Sequence, residues 1–219
     1  MKHLVPALCV AGIMLAAQPA SAALVTYTGL DVGQATPAGP SSAAAQASFL
    51  SAAGPVTTID FETALPSGVS ISGGSITSGS LCSFALCGDN TTLGGSMYLS
   101  LAGGTATFSF STPISAFGAY FSGTQVTESI TFSDGSSQEV LIPDGELDSG
   151  GMSFAGWTDS GKSITSVTIN TGNGTGYCLN CDIIAIDDVL ISSVPEPETY
   201  AMLLAGLGLL GAASRRRKQ

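Results

Sequence analysis

Histidine is nearly absent from this chain. The sequence of 219 residues holds one, His3, and it lies close to the N-terminus. Catalysis by Ser-His-Asp or Cys-His groups needs an imidazole, and so do the metal sites built on histidine. Because residues 1–22 are predicted to be removed, as argued below, the mature protein is expected to lack all of these sites.

Basic residues are almost as scarce in the body of the chain. Between Ala23 and Val194 the only one is Lys162, against fourteen carboxylates, which gives that segment a formal charge of −13. Binding to nucleic acid needs clustered Lys and Arg that neutralise phosphates. The composition therefore excludes a nucleic-acid partner and leaves cations, neutral glycans and basic proteins open.

The N-terminus has the three parts of a secretory signal. A basic start is followed by an apolar core, and Ala20-Ser21-Ala22 forms an A-x-A cleavage site. We predict a signal peptide, helical before cleavage, over residues 1–22; the alternative is a buried helix of the domain. Export to an oxidising compartment follows from this prediction.

Four cysteines remain after cleavage, in a C-x4-C pair and a C-x2-C pair: Cys82, Cys87, Cys178 and Cys181. An even number in an exported chain predicts disulfides, and the two local pairings are favoured among three. Zinc binding by the four thiolates is the alternative. A thioredoxin-like redox role would need a βαβ context, which the pattern lacks.

The C-terminus combines a proline-rich motif, a short apolar run and a basic end. Pro195-Glu196-Pro197 precedes the run of residues 200–213, and Arg215, Arg216, Arg217 and Lys218 follow it. Fourteen residues are a marginal span, since hydrocarbon needs about twenty. The basic residues would hold the far end in the cytoplasm.

This order of parts closely resembles the PEP-CTERM sorting signal of Gram-negative bacteria. The resemblance covers residues 194–219 and implies a short transmembrane helix, recognition by a membrane-embedded exosortase and delivery to the cell surface or the extracellular polymer. It assigns Pro195, Glu196 and Pro197 to the sorting motif and Arg215–Lys218 to the flank of the transient membrane anchor. A plain anchor that is never cut is the alternative.

The middle of the chain reads as all-β. Residues 23–55 form an N-terminal segment with one strand near residues 24–28 and a short helix near residues 43–53, capped by Ser41 or Ser42 and packing lightly on an edge. Residues 56–193 alternate short β-rich runs with Gly, Ser and Asp clusters, and ten candidate strands favour a two-sheet β-sandwich. A jelly roll is the preferred topology, and it resembles domains found ahead of other PEP-CTERM tails. The candidate strands are 56–61, 68–73, 96–101, 105–110, 114–121, 128–133, 137–142, 152–157, 163–170 and 182–192.

Two acidic pairs stand on the first and last strands of this domain. They are Asp60 with Glu62, and Asp187 with Asp188. In a jelly roll these strands commonly pair, which would bring the four acids together as hard oxygen ligands for a structural Ca²⁺. The alternative is that they point to solvent. A second acidic cluster, residues 144–148, is a weaker candidate for the same ion.

Candidate glycan contacts are the single tryptophan, Trp157, and Tyr177 in a glycine-rich loop. A ring that stacks on sugar must be exposed, whereas a lone Trp in a sandwich is commonly packed. The sequence thus predicts a non-catalytic exported protein of the surface or extracellular matrix, associated with exopolysaccharide or biofilm. The alternatives are a carbohydrate-binding module and a glycosidase that uses carboxylates alone.

Overall fold

The computed structural model describes residues 24–34, 38–79, 88–125, 128–133, 139–142, 150–159, 163–171 and 183–193, together with 204, 206 and 207. Eleven strands and the helix α1 lie within residues 24–193 of this part, and residues 204, 206 and 207 are also helical. In chain order they are β1 (Val25–Val32), α1 (Pro40–Ala53), β2 (Thr57–Ile59), β3 (Val69–Ser72), β4 (Ser75–Ser78), β5 (Met97–Ala102), β6 (Gly104–Ser122), β7 (Glu128–Phe132), β8 (Glu139–Ile142), β9 (Gly151–Thr158), β10 (Ile164–Thr171) and β11 (Ile183–Ser193). The all-β prediction is confirmed, and α1 covers the segment where a short helix was predicted.

Strand β6 is the element that joins the two sheets of the domain. Its first half pairs with β3 and β10, and β7 and β8 continue that sheet beyond β10. Its second half pairs with β9 and β11, and β1 lies outside β9. The sequence predicted two strands here. Pro113 lies where β6 passes from one set of partners to the other, so its missing N–H costs no ladder hydrogen bond.

The main core lies between these two sheets. Aromatic rings from the two sides meet there: Phe108 and Phe117 have centroids 5.6 Å apart, and those of Phe132 and Trp157 are 4.6 Å apart. All but Phe132, which is 8 % exposed, are fully buried. The structure therefore has the two packed sheets of a sandwich, while a jelly-roll order of strands stays a prediction.

Helix α1 forms a third layer on the outer face of the second sheet. Its Phe49 is fully buried against Tyr27 of β1 and Phe154 of β9, at centroid distances of 5.8 and 5.6 Å. The expectation of light packing on an edge was wrong. The helix has two large apolar side chains in an Ala-rich sequence, Phe49 and the partly buried Leu50, and both pack toward the face of the sheet.

The start of α1 is capped from a distance. The predicted caps, Ser41 and Ser42, lie inside the helix, and Gly39 is the N-cap residue without a side chain to offer. The Asp31 carboxylate of β1 instead accepts hydrogen bonds from the amides of Ser41 and Ser42, at 2.9 and 2.8 Å. Burial opposes its ionised form, but these bonds outweigh burial and lower the pKa of Asp31. The end of the helix at Gly54 is as predicted.

Replacing Asp31 by alanine is expected to lower the free energy of unfolding by about 1 kcal/mol, the usual cost of losing an N-terminal cap. Asp31→Asn keeps an oxygen acceptor and is expected to lose less. Urea unfolding at neutral pH measures both. Equal stability of Asp31→Ala and the wild type would show that the carboxylate does not hold the helix.

Candidate functional site at the bulge of the last strand

Strand β11 changes partners in its middle. Residues 183–186 pair with β5, and residues 189–191 pair with β2. On its other side, the register against β6 shifts between Asp187 and Leu190, as in a β-bulge. Asp187 and Asp188 therefore lie in a gap between the ends of β5 and β2.

Backbone strain is concentrated beside this gap. Among the described residues, the only ones other than glycine with a positive φ are Phe61, at 59°, and Asp188, at 46°. Asp tolerates the left-handed region, but a bulky side chain such as Phe does so at a cost of about 1–3 kcal/mol. One of these residues follows the end of β2 and the other lies in β11, so both mark the gap as a place where the fold holds an unfavourable backbone.

The loop of residues 88–97 fills the gap and is bound by Asp187. The Oδ2 atom of Asp187 accepts hydrogen bonds from the backbone amides of Thr91, at 2.7 Å, and Thr92, at 3.1 Å. Asn90 Nδ2 donates to the same atom at 3.2 Å. The other oxygen, Oδ1, accepts the amide of Asp188 at 2.8 Å. Both oxygens of this carboxylate are thus engaged by donors.

Asp188 binds the same two threonines through their hydroxyls. Thr92 Oγ1 lies 2.8 Å from its Oδ1, and Thr91 Oγ1 lies 3.1 Å from its Oδ2. Both hydroxyls also lie within hydrogen-bond distance of Asp187 Oδ2, at 3.1 Å for Thr91 and 3.3 Å for Thr92. The two aspartates therefore share the hydroxyls, while Asp187 alone accepts the amides of these threonines.

Glu62 holds the far part of the same loop. Its Oε1 accepts the amides of Ser96 and Met97. Asn90 Nδ2 lies 3.3 Å from that oxygen and so bridges Glu62 and Asp187. Asp60 makes a local turn, in which its Oδ1 accepts the amide of Glu62 at 3.1 Å.

Burial dominates the electrostatics of Asp187. The side chain is fully buried, and this burial raises its pKa to about 6. The amides of Thr91, Asp188 and Thr92 favour the ionised form, while the nearby charge of Asp188 opposes it. Asp187 is thus a buried carboxylate that takes up a proton at mildly acidic pH.

β2 pairs with β11, and Asn90 lies between Glu62 and Asp187. Within the described part of the chain, no group of three or more His, Cys, Asp or Glu side chains is arranged to hold a metal ion. Calcium binding at Asp60, Glu62, Asp187 and Asp188 stays a prediction. A melting temperature that neither EDTA nor added Ca²⁺ changes would refute it, because a ligand of the native state stabilises by mass action.

The prediction that Trp157 stacks on a glycan was wrong. The ring is fully buried between the two sheets, against Phe132, and has no exposed face for a sugar. It lies there because β9 is buried along nearly its whole length, with α1 on one side and the first sheet on the other.

The remaining predicted site residues lie outside the described residues. They are Tyr177, the cysteines Cys82, Cys87, Cys178 and Cys181, the acidic cluster of residues 144–148, the motif Pro195-Glu196-Pro197 and the basic residues 215–218. Glycan binding by Tyr177 and both disulfides stay predictions.

Sequence reasoning missed the partners of the aspartates. Asn90, Thr91 and Thr92 lie in a polar segment without periodicity, so nothing in the pattern connected them to β11. The one available signal was chemical: buried carboxylates need donors, and Asn-Thr-Thr offers amides and hydroxyls in three successive residues.

Comparison with known proteins gives one result. No curated protein matches the chain significantly. Among the residues that the structure describes, no helix is both long and apolar enough to cross a bilayer.

A family model, described as the PEP-CTERM protein-sorting motif, matches residues 193–218. The chain therefore carries a PEP-CTERM sorting motif directly behind its β-rich domain, which marks it as an exported protein that an exosortase sorts to the cell surface.

Proposed function

We propose that this chain is a non-catalytic protein of the cell surface or extracellular matrix, which associates with exopolysaccharide or biofilm after exosortase has cut its tail. The sorting motif at residues 193–218 is the observation that carries the proposal. A motif of this kind delivers a domain to the outside of the cell, where a stably folded, non-catalytic domain can be a component of the extracellular matrix.

The contacts of Asp187 and Glu62 support a structural role for these two carboxylates. A glycosidase needs two carboxyl groups that face a substrate. Asp187 is fully buried and spends both oxygens on amides, and Glu62 binds the amides of Ser96 and Met97. These groups hold a loop in place, which is the work expected of a scaffold.

The proposal is tested by fractionating a host that makes the polymer and a matched host that cannot. We expect the protein in the polymer fraction of the first and free in the medium of the second. An equal distribution in the two hosts would contradict an association with exopolysaccharide. Tyr177→Ala tests the alternative of a carbohydrate-binding module. If the wild type binds the polymer and Tyr177→Ala does not, the domain is such a module.

Processing is tested by the intact mass of the protein recovered from the host's surface. We expect a chain that starts near Ala23 and ends near Pro195–Pro197. Two disulfides would add about four daltons on reduction, since each reduced bridge takes up two hydrogens. A surface form that still contains Arg215–Lys218 would instead show an uncut anchor.

A further inference from the structure

Both termini of the domain leave from the same end of the second sheet. Val25 of β1 is opposite Thr158 of β9, Thr158 is opposite Ala116 of β6, and Ala116 is opposite Ser192 of β11. These four residues lie in one row across the sheet. With strands about 4.8 Å apart, the row places Val25 and Ser192 about 15 Å from each other.

The segments that lead to the membrane are short on both sides. β1 begins two residues after Ala23, where cleavage of the signal peptide is predicted. β11 runs to Ser193, which still pairs with Ile114, and the sorting motif begins at that same residue. The seven residues from Ser193 to Tyr200 can span at most about 25 Å when fully extended. While the tail is in the bilayer, the folded domain cannot move far from it.

Helix α1 ends at this same end of the domain. Ser192 Oγ lies 3.1 Å from the carbonyl oxygen of Ala53 and 3.0 Å from that of Pro55. The start of α1 lies at the opposite end, where Asp31 caps it. We call the group formed by Val25, Ala53, Pro55 and Ser193 the exit end, and the group formed by Asp31, Val32 and Gly39 the far end.

Charge is distributed unequally between the two ends of the β1–α1 layer. Residues 23–55 contain a single charged side chain, Asp31, and it belongs to the far end. Elsewhere in the chain carboxylates outnumber basic residues heavily, as the pI of about 4.1 reflects. Anionic lipids repel exposed carboxylates. A layer whose uncharged end adjoins the sorting tail is therefore suited to lie close to lipid headgroups.

We infer that the exit end rests on the lipid surface of the membrane that holds the sorting tail, with the far end directed away from it. The inference adds an orientation to the proposed function and rests on insertion of the tail, but it does not depend on the association with polymer. It also means that the exosortase acts on a substrate whose folded domain ends at Ser193, where the match to the sorting motif begins.

The structure offers two matched pairs of positions for a test. Val25 and Val32 are the first and last residues of β1 and are 47 % and 51 % exposed. Ala52 and Ala43 are exposed residues near the two ends of α1. A photo-reactive benzophenone amino acid is placed at each of the four positions in the full-length chain. The protein is made in a host without exosortase activity, and its membranes are irradiated.

We expect lipid adducts at positions 25 and 52, and none above background at positions 32 and 43. Equal labelling of the two members of each pair, or labelling at none of the four, would overturn the inference. Adducts to protein in place of lipid at positions 25 and 52 would also overturn it and would point to a membrane protein at this surface. If the full-length chain is absent from the membrane fraction, both the orientation and the insertion of the tail are overturned. If the chain is present but the two members of each pair are labelled equally, the orientation alone is overturned.

Discussion

Replacing Asp187 by alanine is expected to lower the free energy of unfolding by about 3 kcal/mol at neutral pH. The change leaves the amides of Thr91, Thr92 and Asp188 without their acceptor. Each buried donor left unsatisfied costs about 1–3 kcal/mol, and removal of a buried charge returns part of the total. Urea unfolding followed by far-UV circular dichroism measures the difference.

Asp188→Ala is the matched control for this prediction. Asp188 is only half-buried and accepts the hydroxyls of Thr91 and Thr92. Both hydroxyls also lie within hydrogen-bond distance of Asp187 and can donate there when the Asp188 carboxylate is removed. We expect a loss of about 1 kcal/mol, typical of a single net hydrogen bond. If Asp188→Ala cost as much as Asp187→Ala, the assignment of the 88–97 loop to Asp187 would be wrong.

The pKa of Asp187 adds a pH dependence to the same experiment. Because its pKa is raised from 3.8 to about 6 by folding, the folded protein holds a proton between these values that the unfolded chain has lost. The contribution of this group to stability is therefore full below pH 4, falls as the pH rises through 6, and is constant above that. Its size is on the order of 2–3 kcal/mol.

Asp187→Asn tests this contribution, since the amide that replaces the carboxylate does not titrate. We expect the stability advantage of the wild type over Asp187→Asn to be larger at pH 4 than at pH 7.5. A difference independent of pH would show that the carboxylate is ionised throughout.

Replacing Phe49 by alanine is expected to lower the free energy of unfolding by about 3–5 kcal/mol, the range for a large aromatic removed from a core. The ring is the centre of the layer between α1 and the second sheet, where it contacts Tyr27 and Phe154. Without it the helix would keep only the partly buried Leu50 and small side chains against the sheet. Thermal and urea unfolding both report the loss.

Two glycines, which have no side chain, leave the space that the Phe49 ring occupies. Gly118 of β6 and Gly156 of β9 are directly opposite each other. An added Cβ at Gly118 would lie 2.8 Å from Phe154 Cζ and 3.3 Å from Phe49 Cζ, and one at Gly156 would lie 3.2 Å from Phe49 Cδ2. We expect Gly156→Ala to destabilise the protein as well, because this Cβ would also lie 2.9 Å from backbone atoms of Gly118 and Phe117.

Leu50→Ala serves as the control, since Leu50 is the next residue of α1 and only half-buried. Its truncation is expected to cost less than half as much as Phe49→Ala. A loss below about 1 kcal/mol for Phe49→Ala, the level of ordinary surface changes, would mean that α1 packs only loosely.

The sequence predicted the strands better than the layers. Alternation of apolar and polar residues located β7 and β10 to within a residue or two, because each has one dry and one wet face. β9 gave no such alternation, since α1 buries its second face, and Trp157 was misjudged for that reason. The packing of the helix was underestimated because its Ala-rich sequence has few large apolar groups, and nothing in the pattern shows that Phe49 is fully buried.

The candidate site was predictable only in its acidic half. Asp60, Glu62, Asp187 and Asp188 could be brought together by pairing the first and last strands of the domain, and β2 and β11 do pair. The bulge at Asp187 and the positive φ of Phe61 arise from tertiary constraints and leave no local signature. The loop residues Asn90, Thr91 and Thr92 were invisible for the same reason: their contacts span almost one hundred residues of sequence.

The place of β11 also determines when the protein can fold during export. This strand is the last to be synthesised, yet it lies between β6 on one side and β5 and β2 on the other, and it supplies Ile184, Ile186, Val189 and Ile191 to the core. A chain threaded from its N-terminus can assemble hairpins early, but its second sheet stays open until residues 183–193 have crossed. Pairing of segments distant in sequence is slow, because closing a long loop costs conformational entropy before the favourable contacts form. The sorting motif follows at once, so completion of the fold and presentation of the motif to the exosortase are nearly simultaneous events.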